Sequence, residues 1–169
     1  MDQVKKKLRE AAFFLGKLAE RSRLAFGDRE EFDFYLSAFL SAARSVDYRL
    51  RHEHNPRYET FRSAWDTALS SNEQALVKFM VDDRNLEVHE SGSSRVQANE
   101  HLVIGTSYRD ASGTVTVAAP PGAPPAELVR PAFSFLMNGR AVPVVESCVT
   151  YLEILKRLVT DFCGHVGAA

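Results

Sequence analysis

Three polar residues close to position 85 combine the side-chain types that phosphodiester chemistry requires. Arg84 falls in a stripe of valines at helical spacings of four, three and four, formed with Val77, Val81 and Val88. Asn85 and His89 lie on the adjacent strip of the same predicted helix, one turn apart. A guanidinium binds a phosphate through two parallel hydrogen bonds, and an imidazole exchanges protons near neutral pH. The pattern therefore predicts a site for phosphate binding and general acid–base chemistry.

A purely structural interpretation of Arg84 is also open. A charged group at the edge of a core needs an anionic partner, because an unpaired buried charge is very costly. Arg84 can extend to the surface, or it can pair with a carboxylate of a neighbouring helix such as Asp47 or Glu53. On spacing alone, this structural interpretation is favoured.

The elements that must hold these residues are predicted to be helices as far as about residue 90. Four amphipathic segments with short connections indicate an antiparallel bundle. The first segment is expected to end near Gly27 and the second at Asn55-Pro56. Ser70 and Glu73 form a capping box that opens the fourth helix, which carries the polar triplet.

The pattern changes between about residues 93 and 145, where strand residues replace the helical periodicity. Segments 101–108 and 114–118 are predicted strands joined by a turn, and Asn138-Gly139 is a two-residue hairpin signal between two further strands. Residues 120–125 include four prolines and are expected to form a surface loop. A last amphipathic helix is expected to pack on the bundle. The prediction is a mainly α fold, an antiparallel helical bundle with a small antiparallel β insert before the last helix, in a single domain covering residues 1–169.

The segment Arg84-Asn85-Leu86-Glu87-Val88-His89 resembles the signature of the HEPN superfamily (higher eukaryote and prokaryote nucleotide-binding domains). That signature is an arginine, often followed by a polar residue, and then a histidine after a gap of four to six; the gap here is four. Residues 34–45 are similar to the small-residue helix common in bacterial members. The resemblance covers about residues 29–90 and the last helix, and the strand-rich insert departs from the family's all-helical pattern.

The resemblance implies a metal-independent ribonuclease in which two motifs meet across a homodimer. Arg84 would then hold the scissile phosphate, His89 would move a proton to or from the 2′-hydroxyl or the leaving oxygen, and Asn85 would orient the substrate or the histidine. Some family members only bind nucleotides or RNA, and others are inactive partners, so the motif by itself does not establish turnover. The partners implied are RNA, a second copy of the chain, and an antitoxin or other protein.

Charge limits how RNA could be bound. The 21 Lys and Arg residues are balanced by 22 Asp and Glu residues, whereas a protein that coats nucleic acid or an anionic membrane through bulk charge would be more basic. Contacts to phosphate must therefore be local. The candidates are Arg49, Arg51 and Arg57 around the end of the second predicted helix, and Lys78 on the fourth. Cations at the end of a helix also complement its dipole, which is the simpler explanation of the first cluster.

Neither a metal site nor a cofactor is predicted. His52 and His54 diverge by about 200° on a helix and cannot chelate from one face. Cys148 and Cys163 are 15 positions apart on the last predicted helix, too far to form a disulfide, and are expected to pack as small hydrophobic residues. Free thiols and the lack of an export signal or a membrane-spanning stretch predict a cytoplasmic protein that does not enter the membrane.

Two functions therefore remain open. The first is an RNA endonuclease acting through Arg84, Asn85 and His89 in a homodimer. The second is a non-catalytic nucleotide-binding, RNA-binding or protein-interaction module of the same fold, with the β insert as its recognition surface. Balanced charge favours the second, and polar residues on and beside a valine ridge favour the first. The nuclease requires the head groups of Arg84 and His89 to share a cleft, although their positions lie about 140° apart around an ideal helix.

Overall fold

The computed structural model describes the backbone of residues 1–24, 29–89, 95–104, 106–109, 115–118 and 126–167, and the side chains of 1–24, 29–82 and 132–167. The described chain contains five helices, which are α1 (Asp2–Ser22), α2 (Arg29–His54), α3 (Arg57–Ala68), α4 (Ser71–His89) and α5 (Val144–Gly167). Helix α1 packs along α2, and α5 packs against each of the other four helices. The predicted mainly α fold is confirmed.

The ends of the helices follow local hydrogen bonding. Ser70 and Glu73 form the predicted capping box at the start of α4, with the Ser70 amide donating to Glu73 Oε2 at 2.9 Å and the Glu73 amide donating to Ser70 Oγ at 3.3 Å. Helix α2 ends at His54, immediately before Asn55-Pro56 as expected. The end predicted for the first helix was wrong, because α1 ends at Ser22. The amides of Arg23 and Leu24, which follow it, each donate a hydrogen bond to the carbonyl three residues earlier, whereas an α-helical amide donates to the carbonyl four residues earlier.

The β insert contains two antiparallel sheets among the described residues. Strands β1 (Arg95–Ile104), β4 (Ala126–Met137) and β5 (Arg140–Pro143) form one sheet in the order β1-β4-β5, and β2 (Thr106–Arg109) pairs with β3 (Val115–Ala118) in the other. The predicted strand 101–108 is therefore divided, because residues 101–104 pair with β4 and only 106–109 pair with β3. The expected loop at 120–125 lies outside the described residues.

Strand β4 attaches the insert to the bundle. The predicted Asn138-Gly139 hairpin joins β4 to β5, and both residues adopt the left-handed conformation that such a turn requires, with φ of +50° and +75°. Alternate side chains of β4 are buried against the helices: the Phe133 ring stacks on Phe32 of α2 at 3.8 Å between centroids, and Phe135 packs edge-on to Phe79 of α4 at 5.1 Å. The hairpin is thereby held beside α4.

Helix α5 supplies much of the core. The predicted apolar stripe is buried, as are intervening positions on the same side, and it consists of Cys148, Leu152, Leu155, Val159 and Phe162. Both cysteines are free and lie on α5 as predicted, with Cys148 buried and Cys163 half-buried. None of the described helices combines the length and the apolar character needed to cross a membrane.

Candidate functional site

The polar triplet lies on the last two turns of α4. The backbone is helical without interruption from Ser71 to His89, so Arg84, Asn85 and His89 keep helical spacing, while their side chains lie outside the described part of the structure. Because the helix does not unwind before its last residue, positions 84 and 89 remain about 140° apart around its axis. Convergence of the two head groups within one subunit would therefore depend on the reach of the long arginine side chain.

The ridge that contains position 84 borders a buried polar cluster. Val77 and Val81, the two members of that ridge that precede it, line a cavity of about 10 Å³ together with Asp47 and Tyr151. This space is too small to hold a ligand. Burial raises the pKa of Tyr151 to about 12, and the negative charge of Asp47 acts in the same direction.

The buried carboxylate of Asp47 is the centre of what we call the Asp47 cluster, formed with Arg44, Tyr58 and Arg62. The Tyr58 hydroxyl donates to Asp47 Oδ1 at 2.5 Å, Arg62 Nη1 donates to the same oxygen, and Arg44 Nη1 donates to Oδ2 at 3.1 Å. Arg62 Nε also donates to Asp66 Oδ1 at 2.8 Å. Burial raises the pKa of Tyr58, with the Asp47 charge adding to the effect. These contacts join α2 to α3.

Asp47 was one of two carboxylates considered as a partner for Arg84. The structure gives it other partners, because its two oxygens accept from Arg44, Tyr58 and Arg62, and Arg51 Nη2 lies 3.7 Å away. The second candidate, Glu53, lies 3.4 Å from the amino group of Met1. Among the described residues, both carboxylates are therefore engaged by groups other than the motif.

Aromatic residues of α3 have structural contacts. Tyr58 is fully buried, and the guanidinium groups of Arg62 and Arg157 lie 5.6 and 5.7 Å from the centroid of the Trp65 ring. Trp65 Nε1 donates to Asp161 Oδ2 at 2.9 Å. The indole thus connects α3 to α5, which accounts for it without a stacked base.

The predicted phosphate contacts differ in their availability. Arg51 Nε pairs with Glu59 Oε1 at 3.0 Å, whereas half-buried Arg49 and exposed Arg57 have no ion-pair partner among the residues that the structure describes. Lys78 is 81% exposed and pairs with Asp82 at 2.8 Å, and this hydrogen bond raises the pKa of the lysine. Arg49 and Arg57 are therefore the cations of this group that remain open to a phosphate.

A large cleft lies on the other side of α4, and the sequence gave no indication of it. It has a volume of about 610 Å³ and lies between α4, the β4–β5 hairpin and the first turns of α5. A hollow of about 230 Å³ continues it along α4 and shares Ala75, Met137 and Asn138 with it. We call the two together the hairpin cleft. Its polar lining includes Arg140 and Glu146.

The described histidines do not form a metal centre. His52 lies beside the exposed ring of Tyr48, with centroids 6.1 Å apart, whereas His54 packs edge-on to buried Phe162 at 5.3 Å. The two imidazoles therefore have separate surroundings, in agreement with their spacing. Within the described ranges, no three His, Cys, Asp or Glu side chains are grouped so that they could hold a metal ion.

The segment 75–82 of α4 thus lies between two features, with the Asp47 cluster beside one ridge of the helix and the hairpin cleft beside another. Arg84 belongs to the first ridge, and Asn85 and His89 belong to the strip of Lys78 and Asp82, which borders the cleft. Comparison of the chain with protein-family models, with curated proteins and with solved structures found no match.

Proposed function

We propose that this chain is a metal-independent RNA endonuclease of the HEPN type, acting as a homodimer through Arg84, Asn85 and His89. The observation that carries the proposal is the continuity of α4 to His89, which holds the three residues at fixed spacing on a helix packed in the bundle. The mainly α architecture agrees with the fold that the motif implies.

The chemistry follows from the two side chains. The 2′-oxygen of the nucleotide attacks the neighbouring phosphorus, the bond from phosphorus to the 5′-oxygen breaks, and the products are a 2′,3′-cyclic phosphate and a free 5′-hydroxyl. The proton of the 2′-hydroxyl must be removed and the leaving oxygen must gain one, and His89 would carry out one of these transfers. Arg84 would neutralise the phosphate as negative charge develops on its oxygens. DNA would be spared, because it lacks the attacking hydroxyl.

A second subunit would complete this site. Positions 84 and 89 lie on different sides of one helix, and a two-fold axis near the last turns of α4 would bring the arginine of one subunit towards the histidine of the other. Such an arrangement would also double the positive charge around the phosphate. Light scattering at micromolar concentration should give the mass of a dimer, and a monomer there would contradict this part of the proposal.

A non-catalytic module is the second candidate, favoured by a separate observation. Two of the four predicted phosphate contacts, Arg51 and Lys78, are engaged by the acidic residues Glu59 and Asp82. Together with a net charge of −1, this leaves Arg49 and Arg57 as the predicted contacts without an ion-pair partner among the described residues. In this alternative, the chain binds a nucleotide, an RNA or a protein without cleaving a bond.

Cleavage of labelled single-stranded RNA in EDTA separates the two candidates. His89→Ala should lose on the order of 10²–10⁴ in rate, the usual contribution of a positioned acid or base. His165→Ala is the matched control, since it removes an exposed histidine of α5. Arg84→Ala should lose at least as much as His89→Ala, and its melting temperature must be measured in parallel, because the arginine could also stabilise the fold.

The identity of the products gives a further check. Wild-type protein should leave 2′,3′-cyclic phosphate ends and should not cut DNA of the same sequence. Equal background cleavage by the wild type, His89→Ala and Arg84→Ala would refute the nuclease and leave the binding module.

A further inference from the structure

The hairpin cleft has the size of a ligand site. Its main part, of about 610 Å³, falls within the range of roughly 300–1,000 Å³ that small-molecule sites occupy. The adjoining hollow of about 230 Å³ shares three residues with it, so the two form one groove along α4. The other wall is the β4–β5 turn, whose position is set by Phe135 packed against Phe79.

The cleft follows α4 towards the proposed catalytic residues. Lys78 and Asp82 line the smaller hollow, and positions 85 and 89 continue their strip at spacings of three and four residues. The main part of the cleft, which Arg140 and Glu146 line, reaches Leu76 on α4, and from there to His89 the helix rises on the order of 20 Å. A strand bound in the cleft would therefore continue over several nucleotides along α4 before it reached the end of the helix.

The lining of the cleft suits a base. Leu76 and Met137 give it an apolar surface, and half-buried Phe79 lines the adjoining hollow. The amides of Asn72 and Asn138 lie at its rim, where they can donate to and accept from polar atoms of a planar ring. A cleft of this lining can take an unstacked base, as in the recognition of single-stranded RNA.

Two residues of opposite charge line the cleft. Exposed Arg140 and exposed Glu146 both line it, and neither forms an ion pair with the other or with another described residue. A guanidinium is suited to a phosphate, whereas a carboxylate can only accept hydrogen bonds. Glu146 therefore favours a base edge that presents donors. Guanine has N1–H and N2–H side by side, and a carboxylate can accept from both.

We propose that the hairpin cleft binds one guanosine nucleotide of a single-stranded RNA, with Arg140 on its phosphate and Glu146 on its base. The further consequence, that the strand continues from the bound nucleotide along α4 to His89, rests on the proposed nuclease function. Binding in the cleft does not, since it uses residues of the hairpin and of α5 that take no part in proton transfer.

Binding is measured on the His89→Ala protein, so that the RNA stays intact. The probe is a fluorescent octanucleotide of uridine with one central guanosine, and its fluorescence anisotropy gives the Kd. Arg140→Gln should weaken binding about tenfold or more, and Ala75→Phe, which fills the cleft from α4, should abolish it. Glu146→Gln should lose the preference for the guanosine probe over an adenosine probe.

Matched controls change the same residue types elsewhere. Arg9→Gln removes an exposed arginine of α1, and Ala12→Phe adds a ring to an exposed position of the same helix, so both should bind as the background protein does. Melting temperatures identify any variant that fails to fold. Arg140 and Glu146 are exposed, so their variants test the cleft even if Ala75→Phe is unstable.

The outcomes separate the cleft from the nuclease. Loss of binding in Arg140→Gln without any cleavage by the wild type would refute the nuclease and retain the cleft. Normal binding by Arg140→Gln and Ala75→Phe would overturn the cleft, even if the wild type cuts RNA. Equal affinity for free guanosine monophosphate and for the octanucleotide would overturn the assignment to an RNA strand. Equal affinity for the guanosine and adenosine probes would overturn the role of Glu146.

Discussion

Replacing Asp47 with asparagine removes one buried negative charge and keeps the volume of the side chain. Arg62, whose side chain is 14% exposed, loses its ionic partner in the Asp47 cluster, and the fully buried Tyr58 hydroxyl loses a charged acceptor. Removing one member of a buried ion pair generally costs about 3–5 kcal/mol. Arg62 keeps its contact to Asp66 at 2.8 Å, so we expect the free energy of unfolding to fall by about 2–4 kcal/mol. That is a large part of the roughly 5–15 kcal/mol typical of a domain.

Urea unfolding followed by circular dichroism measures this loss. Asp66→Asn is the matched control, because it removes the other partner of the same arginine from a side chain that is 45% exposed, and it should cost about 1 kcal/mol or less. Tyr58→Phe should fall between the two, at about 1.5–3 kcal/mol, since it removes the hydrogen bond donated to Asp47 and the weaker one accepted from Arg62 Nη1 at 3.2 Å.

A double-mutant cycle isolates the pair itself. The loss of unfolding free energy in the double variant Asp47→Asn, Arg62→Met should differ from the sum of the two single losses by about 1–3 kcal/mol, because the two side chains are in direct contact. A loss for Asp47→Asn no larger than that for Asp66→Asn, or additive effects in the cycle, would refute the view that the buried carboxylate organises the α2–α3 contact.

Three other substitutions test separate parts of the structure. A hydrogen bond from Arg157 holds the pKa of Glu73 at about 2. The ionised carboxylate therefore stabilises the folded state above pH 4.5, and this stabilisation is lost as the pH falls towards 2. Glu73→Gln should therefore flatten the fall in melting temperature over that range, and an unchanged profile would contradict the pairing. Burial raises the pKa of Tyr151 to about 12. The neutral hydroxyl is therefore compatible with the folded state below pH 10, and stability is lost as the pH rises from 10 to 12. Tyr151→Phe should flatten the alkaline fall in the same measurement, and an equally steep fall would speak against burial of the hydroxyl. Phe162→Ala should cost about 3–5 kcal/mol in urea unfolding, because this fully buried ring contacts three other aromatic rings, and a loss below about 1 kcal/mol would be inconsistent with its position.

Features set by a few neighbouring residues were predictable from the sequence. The capping box of Ser70 and Glu73 and the Asn138-Gly139 turn each depend on the conformational preferences of side chains that are close in the chain. The apolar stripe of the last helix was predictable for the same reason, because helical spacing alone decides which residues share a face.

Features that depend on distant parts of the chain were not predictable in the same way. The pairing of β1 with β4 joins Arg95 to Phe135, and no local pattern specifies that register. Residues Arg140 and Glu146 come together in the cleft only because the hairpin docks beside α4 and α5. Asp47 did carry a signal, since arginines lie three residues before it and four after it, but Arg62, its closest cationic partner, belongs to the next helix.

The place of α5 in the chain has a consequence for synthesis on the ribosome. This helix buries ten of its residues against all four preceding helices, and it follows every one of them in sequence. Until it emerges, the apolar side chains that α5 covers on the earlier helices stay exposed, among them the Tyr58 ring that packs on Phe162. At translation rates of about 5–20 residues per second, the nascent bundle stays open for seconds. Closure of the core is thus a late event, and the exposed faces are a natural target for chaperones that hold incomplete chains.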